Sequence, residues 1–187
     1  MKRIGGLAWC IGLALICCAR SGFAEDFSFN LFYVPNPNCL SGGVTITATE
    51  SWGFGPFGEI CRINDDSGVT LEDGSLGASS FFRFGQPLFS DGWTLVNLVS
   101  RETRNLESEA GSTASATITV IDAFIGYQWI WPEGLNIWLG GGFIYQSPSS
   151  VHRQFADGES DDARSFIKDS TKTNLVAAPA VTLGWAF

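Results

Sequence analysis

The chain is 187 residues long, enough for one domain, and carries 19 acidic against 11 basic side chains for a net charge of −8. That surplus of negative charge argues against a nucleic-acid binder. Lys2, Arg3 and Arg20 fall in a leader whose loss takes the net charge to −11, and three of the five cysteines leave with it, so Cys39 and Cys61 remain.

Lys2 and Arg3 precede an apolar run from Ile4 to Ala19, and Gly22-Phe23-Ala24 sets small residues where a signal peptidase reads them. Residues 1–24 are therefore expected to be a cleaved signal peptide that exports the rest, with 25–187 as the mature domain. A run of about sixteen apolar residues is short for a spanning helix, which disfavours a retained anchor. Ile16 and Cys17, which precede Cys17 and Cys18, are not the small residue a lipoprotein site needs.

Beyond the leader, Phe27, Phe29, Leu31 and Tyr33 alternate with Ser28 and Asn30 in a first strand that Pro35-Asn36-Pro37-Asn38 ends. Val44, Ile46 and Ala48 alternate with threonines in a second strand closing at Trp52, and Gly53 to Gly58 reads as a turn before a third strand, Phe57–Asn64. With Gly55-Pro56 at the centre of that turn, Glu50 opposes Cys61 and Cys39 lies several pairs away on the opposite face. Two cysteines in an oxidising envelope often pair, but on this register a bridge requires the first loop to fold back. The same register sets Glu50 and Glu59 on the outer face, which calls for a place at the rim or a register one residue off.

Asp65 to Ser75 reads as an acidic loop, Leu76–Phe84 as a fourth strand with Arg83 on the face opposite Phe82 and Phe84, and Trp93–Ser100 as a fifth. A polar loop, Arg101–Ser112, leads into a long hairpin. Its first arm sets Ile121, Ala123, Ile125, Tyr127, Trp129 and Trp131 on one face and Asp122, Gly126 and Gln128 on the other. After Pro132-Glu133-Gly134, its second arm sets Leu135, Ile137, Leu139, Phe143 and Tyr145 opposite Asn136, Trp138, Gly140 and Gly142. A period of two sustained this long exceeds the roughly five or six residues of a soluble strand and matches the roughly nine to eleven that cross a bilayer at a tilt. Ser147 to Lys172 reads as the longest loop, and Asn174–Phe187 closes the chain with Leu175, Val181, Leu183, Trp185 and Phe187 alternating with small residues.

The fold expected is all-β: an eight-stranded antiparallel transmembrane barrel in an up-and-down meander. The connections after strands two, four and six are short and those after three, five and seven long and polar, as in a barrel with both termini in the periplasm. Trp52, Tyr127, Trp129, Trp131 and Trp185 are the candidate aromatic girdle. A soluble sandwich or lipocalin-like barrel with long hairpins is the competing fold.

The closing Leu183-Gly184-Trp185-Ala186-Phe187 resembles the C-terminal signature of bacterial outer-membrane barrels, in which the terminal aromatic, here Phe187, is read by the assembly machinery. The hairpin from Gly126-Tyr127-Gln128-Trp129 to Gly140-Gly141-Gly142 is similar to that of small barrels of the OmpA, OmpX and OmpW kind, in particular a group with no assigned function. The resemblance implies an outer-membrane location, contact with outer-membrane lipid and lipopolysaccharide, a monomer, and no peptidoglycan-binding domain after Phe187.

Arg or Lys at a lipid-facing midplane costs about 2–4 kcal/mol, so Arg62, Arg83 and Asp122 are expected to point inward, joining Gln128 in a polar network of the lumen. Its bland role is to hold a filled barrel together, and its functional one is to line a gated path. His152 has Ser149, Ser150, Asp157 and Glu159 nearby in sequence, the ingredients of a lipid esterase, but a triad is set by geometry and a serine-rich loop supplies such neighbours by chance. Asp65, Asp66, Glu72 and Asp73 lack the spacing of a calcium loop. The expected role is structural or surface-interacting, exerted through the outer loops and chiefly 147–172, without catalysis, cofactor or metal. A narrow channel for small or apolar solutes is the rival, carried by Gly126, Gly140, Gly142, Ala178, Ala180 and Gly184 and opposed by Phe124 and Trp138; a lipid-modifying enzyme comes third.

Overall fold

The computed structural model describes residues 27–33 and 38–186. The leader 1–24 and the terminal Phe187 lie outside those residues. The strands are β1 (Phe27–Tyr33), β2 (Cys39–Thr49), β3 (Trp52–Asn64), β4 (Val69–Arg83), β5 (Gly92–Ser108), β6 (Thr113–Ile130), β7 (Leu135–Gln154) and β8 (Asn174–Ala186). Each is antiparallel to the next, and β1 also pairs with β8, from Ser28 opposite Ala186 to Tyr33 opposite Val181, so the sheet closes on itself as a barrel. One helix, α1 (Asp161–Asp169), interrupts the connection between β7 and β8.

The alternation read from the long hairpin holds: along β6 the even positions from Ala114 to Gln128 are buried and the odd ones face out. The strands are longer than the apolar pattern alone indicated, and two of the three expected loops prove to be mostly strand. Asp65–Ser75 shrinks to a turn at Asp65–Gly68, where the Asp65 carboxylate accepts from the Ser67 N–H at 2.9 Å and Gly68, at φ 78°, takes the left-handed position. Arg101–Ser112 shrinks to a turn around Gly111, and Ser147–Gln154 continues β7. Polar side chains replace apolar ones on the outer face here, so the period of two persists without its hydrophobic signal.

The β2–β3 register also departs from expectation. The chain reverses at Glu50-Ser51, Trp52 pairs with Thr49, and Gly55-Pro56 lies inside β3. A Cβ at Gly55 would lie 1.8 Å from the Val44 carbonyl oxygen, so glycine there serves close strand approach rather than a turn. This correction brings Cys39 directly opposite Cys61, with Cα atoms 4.1 Å apart, and the two form a disulfide on the inner side of the wall. It also turns Glu59 inward, opposite Ser41, and leaves Glu50 in the rim turn, where its carbonyl accepts from the Leu88 N–H at 2.5 Å.

The interior is layered along the barrel axis. At the end where β1 begins and β8 finishes lies a polar floor around Arg83, Gln128 and Asn136. Above it comes an apolar plug of Phe57, Phe81, Val96, Leu98, Phe124 and Trp138, into which the β4–β5 connection inserts Leu88. A chamber lined by carboxylates follows. The far end is roofed by α1, whose Ala163 and Ile167 pack with Val69, Leu71, Leu106 and Ala114. The roof helix starts at Ser160, whose Oγ accepts from the Ala163 N–H at 3.1 Å, and Asp161 and Asp162 in its first turn oppose the positive end of its dipole.

Candidate functional site

The chamber between plug and roof has a volume of about 340 Å³. β3 sends in Glu59, β4 Asp73, β5 Glu102 and Arg104, and β6 Asp122, because these odd or even positions share the inner face of their strands. Arg104 is held by Glu102, whose Oε1 lies 2.7 Å from Nε and 2.5 Å from Nη2, and lies 3.8 Å from Asp73 Oδ2. It also donates through Nη1 to the Ser170 carbonyl at 2.5 Å, tying the chamber to the end of α1. The chamber therefore sets four carboxylates against one guanidinium, which touches two of them. Asp122, only 8% exposed, keeps Oδ1 without a hydrogen-bond partner, and so does Asp73.

Of the expected lumen network, the structure brings Arg83 and Gln128 together and separates the other two. Arg83 Nη2 donates to Gln128 Oε1 at 2.6 Å and to the Leu88 carbonyl at 3.1 Å, its Nη1 donates to the Gly92 carbonyl, and Gln128 Nε2 donates to Asn136 Oδ1 at 3.2 Å. Asp122 points inward as expected but belongs to the chamber on the other side of the plug. Arg62 does not point inward. Its side chain is 70% exposed on the outer face and pairs with Glu72 at 3.4 Å, because β3 runs past the apolar band to a height where the outer face is polar.

The candidate girdle residues Trp52, Trp129, Trp131 and Trp185 are exposed, and with Tyr127 they ring the end where β1 begins and β8 finishes. One edge-on contact links neighbouring strands there, Trp93 meeting Tyr127 at 5.9 Å between centroids, and Trp52 Nε1 donates to Ser80 Oγ at 2.8 Å.

Two of the six small inward residues proposed to leave a channel, Gly126 and Gly140, are accounted for by one ring, and a Cβ at Gly142 would lie 2.0 Å from the Ala123 carbonyl oxygen, so that glycine serves close strand approach. A Cβ at Gly126 would lie 2.6 Å from the Trp138 indole and one at Gly140 2.4 Å from it, so the glycines make room for Trp138, which is 1% exposed. Glu72 and Asp73, read together as part of an acidic loop, go to opposite faces of β4. His152 stands on the exposed outer face of β7 opposite Ser115. Ser149 Oγ donates instead to the Thr117 carbonyl at 3.2 Å, and Glu159 accepts from Ser108, which holds its carboxyl below the usual carboxylate range with help from Ser112. Segment 155–172 is consequently a roof fastened to the barrel: Arg153 Nε donates to Thr171 Oγ1 at 2.8 Å and the Ala156 N–H to Ser112 Oγ at 2.9 Å.

Glu59, Asp73, Glu102 and Arg104 went unassigned as lumen residues. The signal was present in β5, where Ser100, Glu102, Arg104, Leu106 and Ser108 alternate, but the outer face of that stretch is polar and the inner face mostly so, and hydrophobicity does not mark the strand.

No family model matches the chain, and no curated protein is similar to it. Among solved structures it is similar to the crystal structure of Acinetobacter baumannii CarO, with a TM-score of 0.41 and 11% identity across 88% of this chain and 98% of CarO. That likeness is too slight to carry a function.

Proposed function

We propose that this chain is an integral outer-membrane barrel of the small OmpA, OmpX and OmpW kind, its eight strands crossing the bilayer with both ends in the periplasm, and that it works as a closed structural and surface-interaction protein. The observation that carries the reading is the outer surface. Exposed apolar side chains run on β6 from Trp129 to Ile121 and on β8 from Trp185 to Leu175, and the same band continues through Leu139 and Phe143 on β7. These spans match the roughly nine to eleven residues a tilted strand needs to cross the hydrocarbon. An aromatic ring borders the band at one end, and beyond Ile121 the outer face of β6 turns to Thr119 and Thr117. A soluble barrel with this much contiguous exposed apolar surface would aggregate.

The lumen is obstructed by the apolar plug and the roof helix, which favours a sealed barrel over the channel reading. Surface contact then falls to the polar outer faces of β3–β7 beyond the band, where a shallow concavity of about 820 Å³ is bordered by Arg62, Glu72, Glu107 and His152. No catalytic role is assigned. The test is refolding into detergent and liposomes: a heat-dependent gel shift is expected to report a membrane-inserted barrel, and small-solute efflux is expected to match a filled eight-stranded control. A chain that stays soluble and monomeric without detergent would overturn the membrane reading, and efflux above the control would return the channel.

A further inference from the structure

We propose that the chamber binds a divalent metal cation, held through part of its own water shell by Glu59, Asp73 and Asp122. Four carboxylates line this space and the one cation among them, Arg104, is engaged by Glu102 and lies 3.8 Å from Asp73 Oδ2, so one positive charge stands against four acidic groups. Buried carboxylates without a counter-charge are costly, and a bound cation relieves that cost while keeping them ionised. Two acceptors single out where it sits: Asp122 Oδ1 and Asp73 Oδ1 are buried, have no hydrogen-bond partner and line the same cavity. The rest of the wall fits the same ligand, since Ser75, Ser100 and Gln146 add neutral oxygens.

The donor set decides the class of metal. Oxygen donors select hard cations such as Mg²⁺ and Ca²⁺ over soft ones. The nearby sulfurs of Cys39 and Cys61 are bonded to each other and are not thiolate ligands. Among the described residues, no three of the chamber carboxylates bring ligand atoms within 4.8 Å of one another, so they do not close on a bare ion. A cavity of about 340 Å³ does admit an ion with several waters, each taking roughly 30 Å³ in the liquid. Mg²⁺, which dehydrates reluctantly and is commonly held by one or two carboxylates plus water, fits this spacing best.

The site rests on the barrel interior and not on its membrane placement, so the experiment runs on refolded full-length mature chain, in detergent or in plain buffer if the chain proves soluble. MgCl₂ and CaCl₂ are titrated separately by calorimetry at constant ionic strength, with folding confirmed by gel shift and circular dichroism. Saturable binding of one ion per chain is expected. Asp122→Asn and Asp73→Asn are each expected to weaken it by roughly tenfold or more. Glu72→Gln, which alters the exposed pair with Arg62 on the other face of β4, is expected to leave it unchanged. No saturable binding by folded wild-type chain would overturn the proposal, as would equal weakening by Glu72→Gln, which would mark surface charge as the cause. Should Asp73→Asn fail to fold, Asp122→Asn alone decides.

Discussion

Trp138→Ala tests whether the barrel is sealed by packing. The indole is fully buried between Gly126 and Gly140, which have no side chains to move into a void, and the surrounding wall is a hydrogen-bonded ladder that does not contract. Removing an aromatic group that buries about 150–250 Å² forfeits about 4–6 kcal/mol at 25 cal/mol per Å². Measured truncations of buried aromatics cost about 3–5 kcal/mol, and a site that cannot collapse belongs at the upper end of that range. We expect a loss of about 4–5 kcal/mol, read as a lower urea midpoint by circular dichroism and gel shift. Efflux should stay at the control level, because Phe57, Leu98 and Phe124 still occupy the plug and Arg83 the floor beneath it. Gly140→Ala approaches the same contact from the other side: its Cβ would lie 2.4 Å from the ring and 2.5 Å from the Ile125 carbonyl, an overpacking cost of about 1–3 kcal/mol. In the Trp138→Ala background only the ring part of that cost disappears, so the double variant should be more stable than the sum of the single changes. A loss below about 1 kcal/mol for Trp138→Ala, or strictly additive single changes, would refute the packing argument.

Arg104→Ala strands Glu102 in the interior and is expected to cost about 3–5 kcal/mol, whereas Arg62→Ala, at an exposed pair, should change stability by at most about 1 kcal/mol in the same urea series. Reducing or replacing the Cys39–Cys61 bridge, which spans 22 residues, should cost about 3 kcal/mol, measured as a shift in unfolding midpoint with and without reductant. Ser160→Ala removes the cap of α1 and should loosen the roof by about 1 kcal/mol, seen as faster amide exchange in 161–169 with little change in the strands. Glu159 carries a depressed pKa in the folded chain, so the hold of its carboxylate on Ser108 is complete above the ordinary value of 4.5 and is lost as pH falls through the lower folded value. Exchange in the roof should therefore quicken in acid, and Glu159→Gln should flatten that dependence.

The parts of this fold legible in the sequence are those where one physical signal dominates. β6 and the first half of β7 carry an apolar outer face and an inner face of glycine, glutamine and tryptophan, so period, length and facing all follow from the hydrophobic pattern. The same pattern ends at the edge of the apolar band and not at the edge of the strand. Past Leu76 on β4 and Val99 on β5 the outer face is polar and the inner face mixes Asp, Glu, Arg and Ser with Val69, Leu71 and Leu106, so these stretches read as loop by composition although each residue still finds a partner across the ladder, as Asp73 does opposite Arg104. The β2–β3 register failed for a related reason. Gly and Pro punctuate turns so often that Gly53–Gly58 outweighed the two-residue reversal at Glu50-Ser51, whose residues announce nothing.

The site was less legible because its members are paired through errors that compound. Placing the β2–β3 reversal at Gly55-Pro56 puts Glu59 on the outer face and Cys39 out of reach of Cys61, and reading 65–75 and 101–112 as loops leaves Asp73, Glu102 and Arg104 with no face at all. Asp122 was then an inward carboxylate without company, and the nearest inward cations were assigned to it: Arg83, which is cut off by the plug, and Arg62, which is outside. Once β3, β4 and β5 are extended on their true registers, four carboxylates converge on the chamber that holds Arg104 without any further assumption. The charge imbalance of the chamber is thus a consequence of strand continuation past the apolar band, and any variant that shortens β4 or β5 at that level should disperse it.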